Sequence, residues 1–255
     1  MLLTIDIGNT TIALGGFAGD TLGFVRRLPS DRAMDVPACA QGIRTQLALE
    51  GLSPSDLEGT VLASVVPVLT GVVCQAMEQL TGSPPLLVDR TMDTGLLIGP
   101  YDTNNLGMDR IVDCVAALAR WTPPLAVFDM GTATTLSVLD ADGVFQGGMI
   151  LPGLRLSVDA LSARAAQLPP IEFTPPQSLI GRDTVSCMCN GALYGAAGAI
   201  EGIVQRLEEE LGRPLTVILT GGLGRHILPL LRRRVEYEPQ LQLLGLRQLW
   251  LKYRM

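Results

Sequence analysis

One short pattern occurs twice in this chain, at positions 123 residues apart in a sequence of 255. Ile5-Asp6-Ile7-Gly8-Asn9-Thr10-Thr11 is matched by Phe128-Asp129-Met130-Gly131-Thr132-Ala133-Thr134. Each copy follows a short apolar run (Leu2 to Ile7, Leu125 to Asp129) and leads into another (Thr11 to Phe17, Leu136 to Leu139). Apolar runs of this length bounded by turn residues read as strands, and so short a connection between two of them makes a β-hairpin, not a βαβ crossover. A hairpin motif repeated at half the chain length predicts two similar α/β halves. Thr122-Pro123-Pro124 stops a helix and supplies the boundary, giving halves of 1–122 and 123–255.

The remaining periodicity fits that plan. Helices are expected over 37–50, Leu69 to Leu80 (Val72, Val73, Ala76, Met77 and Leu80 on one side), Gly107 to Trp121, Arg155 to Gln167 and Asp183 to Leu211. The buried stripe of the third is read as Ile111, Val115, Leu118 and Ala119. Further strands are expected at Val61 to Val66, Leu86 to Val88, Phe145 to Ile150 and Leu215 to Leu219, the last delivering Thr220-Gly221-Gly222. Ser53-Pro54-Ser55-Asp56 reads as a turn or cap, and Arg232-Arg233-Arg234 as a helix end or solvated face.

The repeated motif also carries the chemistry. Glycine lets a turn approach a ligand closely, and Asn or Thr side chains with neighbouring N–H groups can donate to phosphate oxygens. An aspartate beside the same phosphates would repel them unless a cation intervened, which argues for Mg²⁺ at Asp6, bound directly or through water. The structural alternative is a pair of ordinary hairpin turns. Composition removes several rival chemistries. The only lysine, Lys252, follows no glycine run, so there is no P-loop and no credible Schiff base. The only histidine is His226, which excludes a multi-histidine metal site and reads as structural. A net charge of −6 disfavours a nucleic-acid binder. Five scattered cysteines suggest reduced thiols in the cytoplasm, with Cys187 and Cys189 as packing residues. No basic n-region precedes an apolar run at the N-terminus, and every apolar stretch is broken before about 18 residues, so neither signal peptide nor membrane span is expected.

These motifs resemble those of the actin-like ATPases, a superfamily that includes sugar kinases, and most closely those of type III pantothenate kinases. The resemblance spans nearly the whole chain. It rests on Asp6 to Thr10, Gly107-Met108-Asp109-Arg110, Asp129 to Thr135, Gly147 to Gly153, Gly181 to Thr184 and Thr220 to Leu223. It implies duplicated ribonuclease H-like (actin-like) domains, each a mixed sheet flanked by helices. It also implies phosphorylation of pantothenate by ATP, the first step of coenzyme A synthesis, in a cytoplasmic homodimer that needs Mg²⁺ and a monovalent cation, K⁺ or NH₄⁺. By position, Asp6, Ile7, Gly8, Asn9, Thr10, Thr11, Ile12 and Ala13 would form the first phosphate-binding hairpin. Thr132, Thr220, Gly221 and Gly222 would also contact ATP, and Asp129 would bind the monovalent cation. Asp109 would be the catalytic base. Tyr101, Gly107, Met108, Asp109, Arg110 and, from the partner subunit, Thr184 would contact pantothenate.

Read from the residues themselves, Asp109 lies in the first turn of a helix, where the dipole favours an ionised carboxylate. Arg110 offers a fork that suits the substrate carboxylate, or else a salt bridge. Thr184 can be a helix cap and Tyr101 a packing residue. The chain departs from the family pattern at Tyr101-Asp102-Thr103-Asn104-Asn105-Leu106, which lacks a proline and has Asp102 where a basic residue is usual. Met130 replaces a phenylalanine, and Arg182-Asp183 replaces Lys-Asn. The loop departure bears on substrate contacts, not on the phosphate motifs. It leaves two alternatives open: a non-catalytic regulator on the same scaffold, or another actin-like phosphotransferase.

Overall fold

The opening residues are buried almost without a break. In the computed structural model, which describes residues 1–254, Leu2–Ile7 forms β1 and Thr11–Ala18 forms β2, with Leu3, Ile5, Ile7, Ile12 and Leu14 fully buried. They pair antiparallel, Asp6 opposite Ala13 and Ile7 opposite Ile12. β3 (Thr21–Pro29), absent from the sequence reading, extends the hairpin as an antiparallel edge strand. The chain then crosses through α1 (Val36–Ala48) to β4 (Gly59–Ser64), which lies parallel to β1, and through α2 (Pro67–Thr81) to β5 (Leu86–Leu87). The sheet order is β3-β2-β1-β4-β5. Asp35 caps α1 by accepting from the Ala38 amide at 2.9 Å, and Gly82, at φ +77°, ends α2. Both helices bury one face on the sheet, Cys39, Ile43 and Leu47 from α1 and Leu69, Val73, Ala76 and Met77 from α2.

The second sheet repeats the first. β6 (Leu125–Met130), β7 (Ala133–Leu139) and β8 (Phe145–Pro152) form the antiparallel part; β9 (Thr216–Thr220) and β10 (Glu236–Tyr237) extend it in parallel, in the order β10-β9-β6-β7-β8. Between them run α4 (Leu154–Arg164) and the 28-residue α5 (Thr184–Leu211), then α6 (Gly224–Ile227) follows β9. β6 is to this sheet what β1 is to the other: each is central, paired antiparallel with the next strand and parallel with a later one. This is the duplicated mixed-sheet architecture expected from the repeated motif.

Two compact units result, but the chain does not divide once between 122 and 123. The first unit holds residues 1–96 and 102–119 and takes back the chain from Gln242 on; the second holds 97–101 and 120–241. The returning segment is α7 (Leu241–Arg254), also absent from the sequence reading. It lies against the first unit, where Trp250 covers Gly59, Leu243 covers Gly15 and Gly245 sits on the Val112 carbonyl. α3 (Met108–Leu118) belongs to the first unit too. Its buried face differs from the expected stripe: Ile111 is buried, but Val112, Cys114, Ala116 and Ala117 join it, while Val115 and Leu118 are half-buried and Ala119 is exposed. The arginine cluster ends no helix; Arg233 pairs with Glu208 at 2.6 Å and Arg234 with Glu236 at 2.9 Å. Cys189 is buried as expected of a packing residue, whereas Cys187 is exposed. His226 is half-buried beside Phe173, with ring centroids 5.8 Å apart, which fits its structural reading.

Candidate active site

In the first unit, β1 delivers Asp6 one residue before the strand ends. The turn Gly8-Asn9-Thr10 is closed by the Gly8 amide donating to the Thr11 carbonyl at 3.0 Å. Ser30, just past β3, braces it from behind: its hydroxyl donates to the Gly8 carbonyl at 2.6 Å and its amide to the Thr10 carbonyl at 3.0 Å. Asn9 and Thr10 are exposed and Thr11 is half-buried. Ile7 and Ile12 are fully buried and Ala13 nearly so, so their side chains belong to the core and only their main chain can face a ligand. Asp6 is half-buried, and the Gln242 amide lies against its carboxylate, 2.5 Å from Oδ2 and 3.0 Å from Oδ1. Nothing in the sequence pointed to Gln242.

The same unit carries Gly107 to Arg110. Gly107 caps α3, and a Cβ there would strike Asp109 Oδ1, so glycine is required for the carboxylate to fold back over the helix start. Asp109 Oδ1 accepts from the Arg110 amide at 2.9 Å. Burial pushes the Asp109 carboxyl above its ordinary value, opposed by that amide bond and by the Arg110 charge. Asp109 lies in the first turn of α3, as expected, and desolvation is the largest influence on its carboxyl there. Arg110 and Met108 are buried, at 6% and 8% exposure. The preceding loop explains its own departure from the family pattern. Asp102 caps a short 3₁₀ turn by accepting from the Asn104 amide at 3.0 Å, and Arg90 donates to the Asn104 carbonyl. The negative charge at 102 therefore serves the local turn.

In the second unit, β6 delivers Asp129 opposite Thr135 on β7 and beside Thr220 on β9. The hairpin turn is closed by the Gly131 amide donating to the Ala133 carbonyl at 3.1 Å, one residue tighter than in the first unit. Gly221 follows β9 at φ +85°, and a Cβ there would lie 2.6 Å from Asp129 Oδ1. Gly153 lies beneath the carbonyls of Gly131 and Thr132, where no Cβ would fit. Asp129, Gly131, Thr132, Thr220 and Gly221 thus converge at the ends of β6 and β9. Thr132 and Gly222 are exposed, and Thr220 is buried. Tyr101 belongs to this unit and stacks edge-on against Phe145, with centroids 5.2 Å apart. Thr184 is the exposed first residue of α5; the cap is Asp183, which accepts from the Ser186 amide at 2.9 Å.

The donor sets suit the expected ions. Among the described residues no group of three His, Cys, Asp or Glu side chains forms an all-protein cage. A lone carboxylate at the end of a strand is the arrangement of a hydrated divalent cation held mainly by substrate phosphates. Around Asp129, the bare α-carbon of Gly221 leaves room for a carboxylate oxygen close to the main chain of the strand end, a hard oxygen donor fitting a monovalent cation.

Two mixed five-stranded sheets of identical topology, each with an Asp-x-Gly hairpin end, define a duplicated ribonuclease H-like, actin-like fold. The ROK hexokinase of Thermus thermophilus shares it, with a TM-score of 0.51 at 14% identity covering 99% of both chains. A Baf family protein from Campylobacter jejuni superposes with a TM-score of 0.62 at 17% identity, covering 99% of this chain and 98% of that one. The sequence narrows the class. The family model for type III pantothenate kinase matches residues 2–206, and the type III pantothenate kinase of Moorella thermoacetica is 41% identical over 247 residues, 97% of each chain. The chain belongs to the type III pantothenate kinase family.

Proposed function

We infer that this chain transfers the γ-phosphoryl group of ATP to the hydroxyl of pantothenate, the first step of coenzyme A biosynthesis. The observation that carries this reading is the Asp109-Arg110 pair opening α3, the arginine buried and the aspartate half-buried, in a member of this family. The residues divide the work by chemistry. The first-unit turn, from Asp6 to Thr11, offers amides and hydroxyls to phosphate oxygens; Thr132 and Thr220 to Gly222 do so in the second unit. Arg110 pairs with the pantothenate carboxylate, and Tyr101, Gly107, Met108 and, from the partner subunit, Thr184 complete the acceptor site. Asp109 accepts the hydroxyl proton as the hydroxyl oxygen bonds to the γ-phosphorus and the bond from that phosphorus to the bridging oxygen of ADP breaks. In a loose transition state the proton leaves late, so alignment counts for more than base strength. A base whose carboxyl is held above its ordinary value is also better matched to neutral pH than a surface aspartate.

A divalent cation at Asp6 and a monovalent one at Asp129 would neutralise phosphate charge when bound. α5 presents Gly191, Gly195 and Gly198 with open space beside each, and carries an exposed Val185 in its first turn. This open, partly apolar face supports the homodimer reading. No helix among the described residues is long and apolar enough to cross a membrane. The test is a coupled ADP assay. Turnover is expected only with pantothenate, Mg²⁺ and K⁺ together, and to fall when Na⁺ replaces K⁺. ADP release at an equal rate without pantothenate would refute the assignment.

A further inference from the structure

Gln242 is the second residue of α7 and the first of the chain that returns to the first unit. Its amide reaches both oxygens of Asp6, at 2.5 and 3.0 Å. Only one orientation of that amide is compatible with an ionised aspartate. A carbonyl oxygen facing a carboxylate has no hydrogen to share, whereas the NH₂ group supplies two donors. The contact is not a chance meeting of surface side chains, because the helix that carries it is fixed at several points. Leu241, Leu243, Leu246 and Leu249 are buried. Leu243 fills the space over Gly15 on β2, Gly245 sits on the Val112 carbonyl of α3, and Trp250 covers Gly59 at the start of β4. Arg247 pairs with Asp20 beyond β2 and lies over the Phe17 ring, 5.7 Å from its centroid. α7 is thereby held against the strands on either side of β1, which carries Asp6, and against the helix that has Asp109 in its first turn.

We propose that Gln242 is a positioning residue for Asp6: its amide fixes the rotamer of the carboxylate, so that Asp6 meets the metal-bound phosphates already oriented. The proposal rests on the reading of Asp6 as the Mg·ATP carboxylate. The residue lies beyond the 2–206 stretch matched by the family model. Preorganisation of this kind acts through the hydrogen bond and not through contact with the nucleotide, so its signature is selective. Mg²⁺-dependent nucleotide binding and kcat should weaken while pantothenate recognition is spared.

The experiment uses the full chain and four proteins: wild type, Gln242→Met (similar length, no donor), Gln242→Glu (a second negative charge) and Asp6→Asn. ADP binding is measured by calorimetry across a Mg²⁺ titration, alongside steady-state kinetics and thermal melting. Loss of a hydrogen bond to a charged group predicts that Gln242→Met needs about tenfold more Mg²⁺ for half-maximal ADP affinity, and Gln242→Glu more still. The KM for pantothenate should stay within about twofold and both variants should melt cooperatively. A Gln242→Met protein with wild-type Mg²⁺ dependence overturns the proposal. So does one in which the KM for pantothenate and ADP affinity without Mg²⁺ deteriorate equally, since that marks a merely structural helix. If Asp6→Asn itself leaves Mg²⁺ dependence unchanged, the Asp6 assignment fails first and the role of Gln242 falls with it.

Discussion

Gly221 and Gly222 are adjacent, look interchangeable in the sequence, and should respond to alanine in opposite ways. Gly221 has φ +85°, and a Cβ built on it would stand 2.6 Å from Asp129 Oδ1, 2.7 Å from the Met130 amide nitrogen and 2.8 Å from the Met130 carbonyl carbon. Two of those three atoms are backbone in the central strand of the sheet, so no side-chain rotation relieves the overlap. The left-handed conformation costs alanine about 1–2 kcal/mol. Overpacking adds about 1–3 kcal/mol, for a total of about 2–5 kcal/mol. For a chain of this size, that lowers the melting temperature by roughly 5–15 °C. A Cβ on Gly222 meets nothing within 4 Å, and its φ is not in the positive range, so Gly222→Ala should melt within about 2 °C of wild type. Differential scanning fluorimetry on the two variants decides the matter. Kinetics adds a second reading: pushing the Asp129 carboxylate aside should raise the K⁺ concentration for half-activation in Gly221→Ala and leave it unchanged in Gly222→Ala. Equal melting temperatures for the two would show that the close approach of β9 to Asp129 is not a constraint, and that the position does not need a glycine.

Asp109→Asn should lower kcat by about 10²–10⁴-fold in the ADP assay, while the melting temperature holds or rises because a desolvated carboxylate has been removed. The acid limb of kcat/KM should sit above the ordinary carboxylate range, and Arg110→Leu, by removing an opposing charge, should move it further up. The sign for stability runs the same way. The folded chain binds the Asp109 proton more tightly than the unfolded one, so this group's contribution to stability is greatest below its ordinary value and declines as pH rises through the raised one. Urea melts of wild type and Asp109→Asn should therefore diverge with rising pH across that window. Arg110→Lys should raise the KM for pantothenate by about tenfold through loss of the planar fork, with little effect on an analogue whose carboxylate is replaced by an alcohol; equal effects on both acceptors would rule out carboxylate recognition.

Both hairpins were legible because their information is local: an apolar run, an Asp-x-Gly turn and a second apolar run. The repeat then implied the second sheet from the first. β3 was not legible, for every residue but Leu28 is half-buried or exposed and it carries Arg26 and Arg27, as edge strands do. α7 was missed for a different reason. Its buried leucines at 243, 246 and 249 do carry helical spacing, but Gly245 interrupts the pattern and chain order says nothing about which sheet a terminal helix covers. Only in three dimensions does Gly245 become a seat for the Val112 carbonyl, and Gly15 and Gly59 recesses for Leu243 and Trp250. The contact of Gln242 with Asp6 was invisible for the same reason. The α3 stripe shifted because α3 is buried over most of its surface, Arg110 and Asp113 included, so a one-sided helical wheel could not find its inner face.

The loop at 101–106 shows how a sequence departure can mislead about chemistry. Asp102 stands where the family pattern has a positive charge, and on sequence alone that weakens the case for an anionic acceptor. In the structure its carboxylate is engaged with the Asn104 amide, and Arg90 meets the carbonyl of the same residue, so the turn is built from its own charges. On the proposed function, the burden of recognising a carboxylate then falls on Arg110, which is buried and adjacent to Asp109, the proposed base. That adjacency sets a compromise. Arg110 draws the Asp109 carboxyl down while burial pushes it up, and burial prevails. An acceptor carboxylate paired with Arg110 would offset part of the guanidinium charge and leave burial less opposed. Asp109 should therefore be a stronger base with pantothenate bound than without it, so the acid limb of kcat, which reports the bound enzyme, should lie at higher pH than that of kcat/KM.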